Sequence, residues 1–158
     1  MDEKVYLDAG GKLDGKREAA WRALISTNAL VIDKIERELS AAELPPLGWY
    51  DVLLELSRAS DRRLRMHELA QAVVLSRSGL TRLVDRLERA GLLRREPTPE
   101  DRRGAFAVLT DDGRDTLDQM WPVYAKGIAE HFGGHLSDGD ADAISDALSR
   151  VMAAELDR

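Results

Sequence analysis

The sequence has no cysteine. That excludes disulfides, thiol nucleophiles, a thiol redox switch and every cysteine-based metal centre. No apolar run approaches the roughly 18 residues that a membrane span needs. The opening stretch, MDEKVYLDAGGKLDGK, lacks the apolar core of a secretory signal. A cytoplasmic protein that does not engage a membrane is expected. Lysine is scarce and unevenly placed: there are five in the chain, and none lies between residues 58 and 103.

What the sequence does have is material for one packed domain. Its 158 residues are 44% hydrophobic and 33% charged, too apolar for a disordered chain. The net charge of −6 argues against a polyanion partner, but its distribution reverses that reading. Residues 58–103 hold 12 Arg against 7 Asp and Glu, a net +5, whereas residues 1–57 carry −4 and residues 105–158 carry −7. All the basic residues of that central segment are arginine, the side chain suited to bidentate contact with phosphate and guanine. One face of the molecule is therefore expected to meet a polyanion.

Periodicity organises the chain. Residues 1–15 read as a tail. Apolar positions Trp21, Leu24, Ile25, Val31, Ile32, Ile35 and Leu39 form a helical stripe over about 16–42, ended by LPPLG at 44–48. A second helix is predicted over about 47–58, a turn at 60–63, a short helix over 67–73 and a fourth helix over 77–90, closed by Gly91. On a helical wheel Leu80, Leu83, Val84 and Leu87 of the fourth helix share one side, and Ser78, Thr81, Arg82, Asp85 and Arg89 share the other. Two strand-like runs, 92–96 and 105–110, flank the loop PTPEDRRG and predict a hairpin. Thr110 is the expected N-cap of a long helix reaching about Phe132, and Ser137 starts a last helix through a capping box with Asp in place of Glu. Helices joined by a short turn and followed by a hairpin describe a winged helix-turn-helix, whose second helix enters the DNA major groove.

The residues that carry this pattern, LAQAVVLSRSGLTRLVDRLERAGLLRREPTPEDRRGAFAVLTDDG at 69–113, resemble the MarR family of bacterial transcription regulators. LPPLGWYDVLLEL before them and HLSDGDADAISDALSRV after them extend the resemblance to about 18–155. It implies a mainly α fold with a small β-hairpin wing. Residues 16–46 and 111–156 would be dimerisation helices, and 47–110 the winged helix-turn-helix lobe. It further implies a homodimer on a pseudo-palindromic operator, acting as a repressor released by a small, often anionic aromatic effector. Neither cofactor nor enzymatic activity is expected. At one point the sequence departs from the family: His67 stands where relatives commonly carry a Ser that caps the short helix.

The expected DNA-contacting residues are Ser76, Arg77, Ser78, Thr81, Arg82, Arg86 and Arg89, with Arg95 supporting the wing or a phosphate. Arg82 is best placed for a base edge, and Asp85 to orient Arg82 or Arg89 by ion pairing. In the wing loop are Asp101, Arg102 and Arg103; the resemblance makes Arg103 the minor-groove residue and Asp101 its brace. Trp21, Asn28, Trp49 and Tyr50 are candidate effector contacts, with ordinary core and dimer packing as the competing explanation. Asn28 is informative because a polar residue on an apolar stripe needs a partner. Arg17 and Arg22 are possible partners for an effector carboxylate. Two rival readings follow from isolated motifs. His131 and His135 suggest a metal-responsive regulator, although Gly133 and Gly134 interrupt the helix between them. GGKLDGKR at 10–17 approximates a phosphate-binding loop of a nucleotide-binding enzyme, but Arg17 occupies the position of the Mg²⁺-ligating Ser or Thr. No metal site is expected.

Overall fold

The structure, a computed structural model, describes residues 12–73, 77–98 and 104–156; for residues 77 and 78 it describes the backbone alone. The helices are α1 (Gly15–Ala41), α2 (Leu47–Arg58), α3 (Met66–Ala72), α4 (Arg77–Arg89), α5 (Asp111–His131) and α6 (Asp138–Leu156). The strands are β1 (Arg63–Arg65), β2 (Leu93–Pro97) and β3 (Ala105–Leu109), joined antiparallel in the order β1-β3-β2. No helix among the described residues is long and apolar enough to cross a membrane. The mainly helical fold with a small wing agrees with the sequence reading, and helix bounds agree to within about a residue.

Strand β1 departs from that reading. Residues 60–63 are not simply a turn: Ser60–Arg62 form a 3-10 turn in which Asp61 and Arg62 take φ of 55° and 54°, and Arg63 then enters β1. The strand pairs Arg63 with Val108, Leu64 with Ala107 and Arg65 with Phe106. Three residues are too few for an alternating pattern to show, and their partners lie more than forty positions away. The sheet therefore has three strands, not the two of the expected hairpin.

Contacts divide the chain into a terminal unit, Met1–Lys34 with Ile128–Arg158, and a central unit, Ile35–Gly127. The central unit takes in the whole 47–110 segment and the adjoining ends of two long helices. Every buried hydrophobic side chain among the described residues belongs to it, including Leu53, Leu56, Leu69, Leu80, Val84, Leu87, Leu93 and Met120. Pro46 precedes α2, and Glu36 accepts the Leu47 N–H at 2.9 Å, which satisfies one of the orphan donors of that helix start. Among the described residues the terminal unit has no comparable core of its own. Trp21, Leu24, Ile25 and Leu30 on α1, with Ile144, Val151, Met152 and Leu156 on α6, are all exposed.

Both helix starts expected from sequence carry their caps. The Thr110 hydroxyl accepts the Gly113 N–H at 3.0 Å and donates to the Gly91 carbonyl at 2.6 Å. At the start of α6, Ser137 Oγ accepts the Asp140 N–H at 3.2 Å while an Asp140 carboxylate oxygen accepts the Ser137 N–H at 3.0 Å, a reciprocal box. The Ser137 hydroxyl also donates to that carboxylate at 2.6 Å and, with the backbone bond, holds the Asp140 pKa below its ordinary 3.8. A carboxylate with a depressed pKa contributes stability above its ordinary pKa and loses it as pH falls through the lowered value. Ser137→Ala is thus expected to return the Asp140 titration towards 3.8 and to fray the first turn of α6, both visible by NMR titration of the carboxyl and neighbouring amides. An unmoved titration would show that the hydroxyl is not what holds the carboxylate.

Candidate nucleic-acid interface

Helix α4 sets the interface because its two sides differ so sharply. Leu80, Val84 and Leu87 are 1%, 0% and 0% exposed and anchor it in the central core. Thr81, Arg82, Arg86 and Arg89 are exposed. The helix ends in a Schellman motif: the Leu92 N–H bonds the Leu87 carbonyl, the Gly91 N–H bonds the Glu88 carbonyl, and Gly91 takes φ of 75°. The chain then reverses into β2 with Leu92 and Leu93 buried, which places the wing strands beside α4.

Between them lies a cleft of about 640 Å³, walled by Arg65 and His67, by Thr81, and by Arg95, Thr98 and Gly104 at the wing base. Arg65 reaches it from the end of β1, its guanidinium 5.2 Å from the Phe106 ring centroid. Arg95 has a different role from the exposed arginines. It donates to Asp85 and to Glu88 at 2.6 Å each, and its side chain is only 27% exposed. Burial opposes its charge, but the hydrogen bonds to Asp85 and Glu88 outweigh that and leave its pKa above the ordinary value. Asp85 thus holds an arginine of the wing, whereas the sequence pointed to Arg82 or Arg89 of its own helix.

The His67 position also resolves differently from expectation. Helix α3 begins one residue earlier, at Met66, and Glu68 reaches back to accept the Arg65 N–H at 2.8 Å. The start of α3 is therefore capped from within, and His67 is left exposed on the cleft wall.

The profile of the MarR family matches residues 42–104, the stretch that holds α2, β1, α3, α4 and the first wing strand, β2. AbsC, a MarR family transcriptional regulator from Streptomyces coelicolor, superposes with a TM-score of 0.83 at 32% identity, covering 93% of this chain and 99% of AbsC. The chain belongs to the MarR family. Sco3205, a MarR family regulator of the same organism solved in complex with DNA, superposes equally well at 0.83, with 31% identity over 90% of each chain. YkoM, an HTH-type transcriptional regulator of Bacillus subtilis, is 36% identical over 87 residues, 55% of this chain. Those residues make up 56% of YkoM, so the match spans little more than half of that relative.

Against this MarR-family frame, the expected site residues divide into groups. Thr81, Arg82, Arg86 and Arg89 share the exposed side of α4. Arg77 and Ser78 lie in its first turn. Ser76, Asp101, Arg102 and Arg103 lie outside the described residues. Of the effector candidates, Trp21 and Asn28 fall in the terminal unit and Trp49 and Tyr50 in the central unit. Trp21 is 59% exposed and Asn28 is exposed, so Asn28 faces solvent in the single chain. Tyr50 is buried in an aromatic cluster, stacked 6.2 Å from Trp121 and edge-on to Tyr124 at 5.0 Å. Burial raises the pKa of both tyrosines. Arg17 pairs with Asp14 at 2.8 Å and Arg22 with Glu18 at 2.6 Å. Asp14 also accepts the Lys16 and Arg17 N–H groups, which occupies the helix-start amides a nucleotide phosphate would need. Sequence reasoning did not single out Glu88 or Arg65 as members of this region. Their roles depend on β1 and β2 lying beside α3 and α4, which no local pattern encodes.

Proposed function

We propose that this MarR-family chain is a homodimeric repressor that reads a pseudo-palindromic operator with α4 in the major groove and the wing in the adjoining minor groove. The observation that carries it is the exposed side of α4, which presents Arg82, Arg86 and Arg89 while Leu80, Val84 and Leu87 on the other side are buried. An arginine-rich, lysine-free segment of net +5 within a chain of −6 suits a polyanion at that one place. Arg82 contacts a base edge, with Arg77, Ser78, Thr81, Arg86 and Arg89 alongside on base and phosphate. Ser76 precedes the helix, and Asp101, Arg102 and Arg103 form the wing contact, with Arg103 in the groove. Arg65 and His67 line the cleft between α4 and the wing base, beside the strand that separates the two grooves in this reading. The exposed apolar stripes of α1 and α6 favour pairing with a second copy, which sets two recognition helices about one DNA turn, roughly 34–36 Å, apart. The protein acts on cytoplasmic DNA as a regulator, not an enzyme. Release by a small anionic aromatic effector belongs to the same reading. The exposed Trp21 serves as a fluorescence reporter for such a molecule.

Salt dependence tests the proposal. Affinity for a duplex that the protein enriches from a random pool is expected to fall steeply with salt, by about 0.9 log unit per log unit of salt for each phosphate neutralised. Arg89→Ala, near the end of α4, is expected to weaken enriched and shuffled duplexes alike and to flatten that slope by about one contact. A salt-independent wild-type affinity, or no enrichment, would contradict the proposal.

A further inference from the structure

We propose that Asp85 and Glu88, two acids on the DNA-facing helix, are positioning residues for DNA recognition. Acting through Arg95 they lock strand β2 of the wing to α4, so that deleting their negative charge weakens specific DNA binding instead of strengthening it. The inference rests on the DNA-binding reading above.

The geometry is that of a clamp. The Arg95 N–H donates to one Glu88 carboxylate oxygen at 2.9 Å, and Arg95 Nη1 donates to the other at 2.6 Å. Its Nη2 donates to Asp85 Oδ1 at 2.6 Å. One residue of β2 therefore holds two carboxylates that lie three positions apart, on the same side of α4. On the sheet side Arg95 pairs in register with Ala107, which is 0% exposed, so its backbone has no freedom to drift. Charge-assisted bonds in a planar fork set an angle as well as a distance. Asp85 and Glu88 are themselves only 39% and 37% exposed, so solvent screens the clamp less than an open surface pair.

A reader that places a helix in one groove and a wing in the next requires the angle between them to match the duplex. Residues that fix this angle contribute to specific binding without touching DNA. Plain electrostatics predicts the opposite sign. Two carboxylates beside a polyanion repel it, and their removal would strengthen binding to any duplex. Arg95 sets one positive charge against two carboxylates, so its guanidinium is committed to the clamp and contributes no phosphate contact of its own.

The test compares Asp85→Asn, Glu88→Gln, the double variant and Arg95→Met in the full-length chain. Each is titrated against a duplex enriched from a random pool by the wild type and against its shuffled counterpart, over a range of salt. Helix content and oligomeric mass are followed in parallel. The double variant is expected to lose about tenfold or more on the enriched duplex while holding or gaining on the shuffled one. Arg95→Met is expected to follow it, with a salt slope within about half a contact of the wild type. Glu88→Gln keeps an amide oxygen for the Arg95 N–H and so preserves the fold should the double variant fail to. It is expected to lose about threefold on the enriched duplex alone. If enriched and shuffled affinities rise together, or if Arg95→Met flattens the slope by a full contact, the positioning role is wrong. If the wild type enriches no sequence, it is the DNA-binding reading that fails.

Discussion

Gly113→Ala is expected to destabilise the protein by about 3 kcal/mol, the upper end of what overpacking a core site costs. Gly113 is buried in the first turn of α5. A Cβ there would overlap the Leu92 carbonyl oxygen and come within 2.7 Å of Leu109 Cδ1 and 2.9 Å of the Leu92 carbonyl carbon. The nearest obstacle is backbone and has no rotamer to escape into. It is also fixed in place, because the Thr110 N–H bonds the same Leu92 oxygen at 3.2 Å. The site is the knot where the end of α4, the last strand of the sheet and the start of α5 meet. The Thr110 hydroxyl bridges Gly113 and Gly91 there, so relieving the clash pulls away the cap as well. At this chain length such a loss lowers Tm by about 10 °C. Gly15→Ala is the control: nothing lies within 4 Å of a Cβ at that helix start, and little change is expected. Calorimetry of the two variants decides the matter; equal Tm values would show that α5 can shift without disturbing the wing.

The fold was legible in the sequence wherever a local rule decided it. The wheel of α4 places Leu80, Leu83, Val84 and Leu87 inward; Leu80, Val84 and Leu87 are essentially without solvent contact, and Leu83, at the edge of that side, is half-buried. Thr110 and Ser137 were readable as caps because a short hydroxyl side chain before an acidic turn has one favourable local use. The reading fell short where partners are distant in sequence. Strand β1 exists because Arg63, Leu64 and Arg65 find β3, and nothing within three residues announces it. The cap of α3 is not legible before the helix, because the acceptor is Glu68, a residue inside the helix reaching back. Nothing in the sequence singles out Glu88, because its role depends on β2 bringing Arg95 against it. The apolar stripe of α1 is legible as a stripe, but only its end, at Ile35 and Leu39, is buried in the single chain. The rest of the stripe is left for another surface to cover.

The second large effect concerns Arg82. It is exposed on α4, on the side opposite Leu80 and Val84, and its helix is held at both ends of the DNA-facing stretch by core side chains. If Arg82 forms a bidentate contact with guanine, Arg82→Ala costs about 1–3 kcal/mol on the operator and leaves fold and dimer intact. That loss is specific to sequence, in contrast to the uniform loss expected of Arg89→Ala. The most direct measurement is a parallel selection from one random duplex pool with the wild type and with Arg82→Ala, followed by affinities for the enriched duplexes. The account predicts a two-fold symmetric motif for the wild type and the same motif for the variant, with preference erased at one base pair in each half. An unchanged motif, or an equal fall in affinity across all sequences, would contradict the claim that α4 reads bases through Arg82.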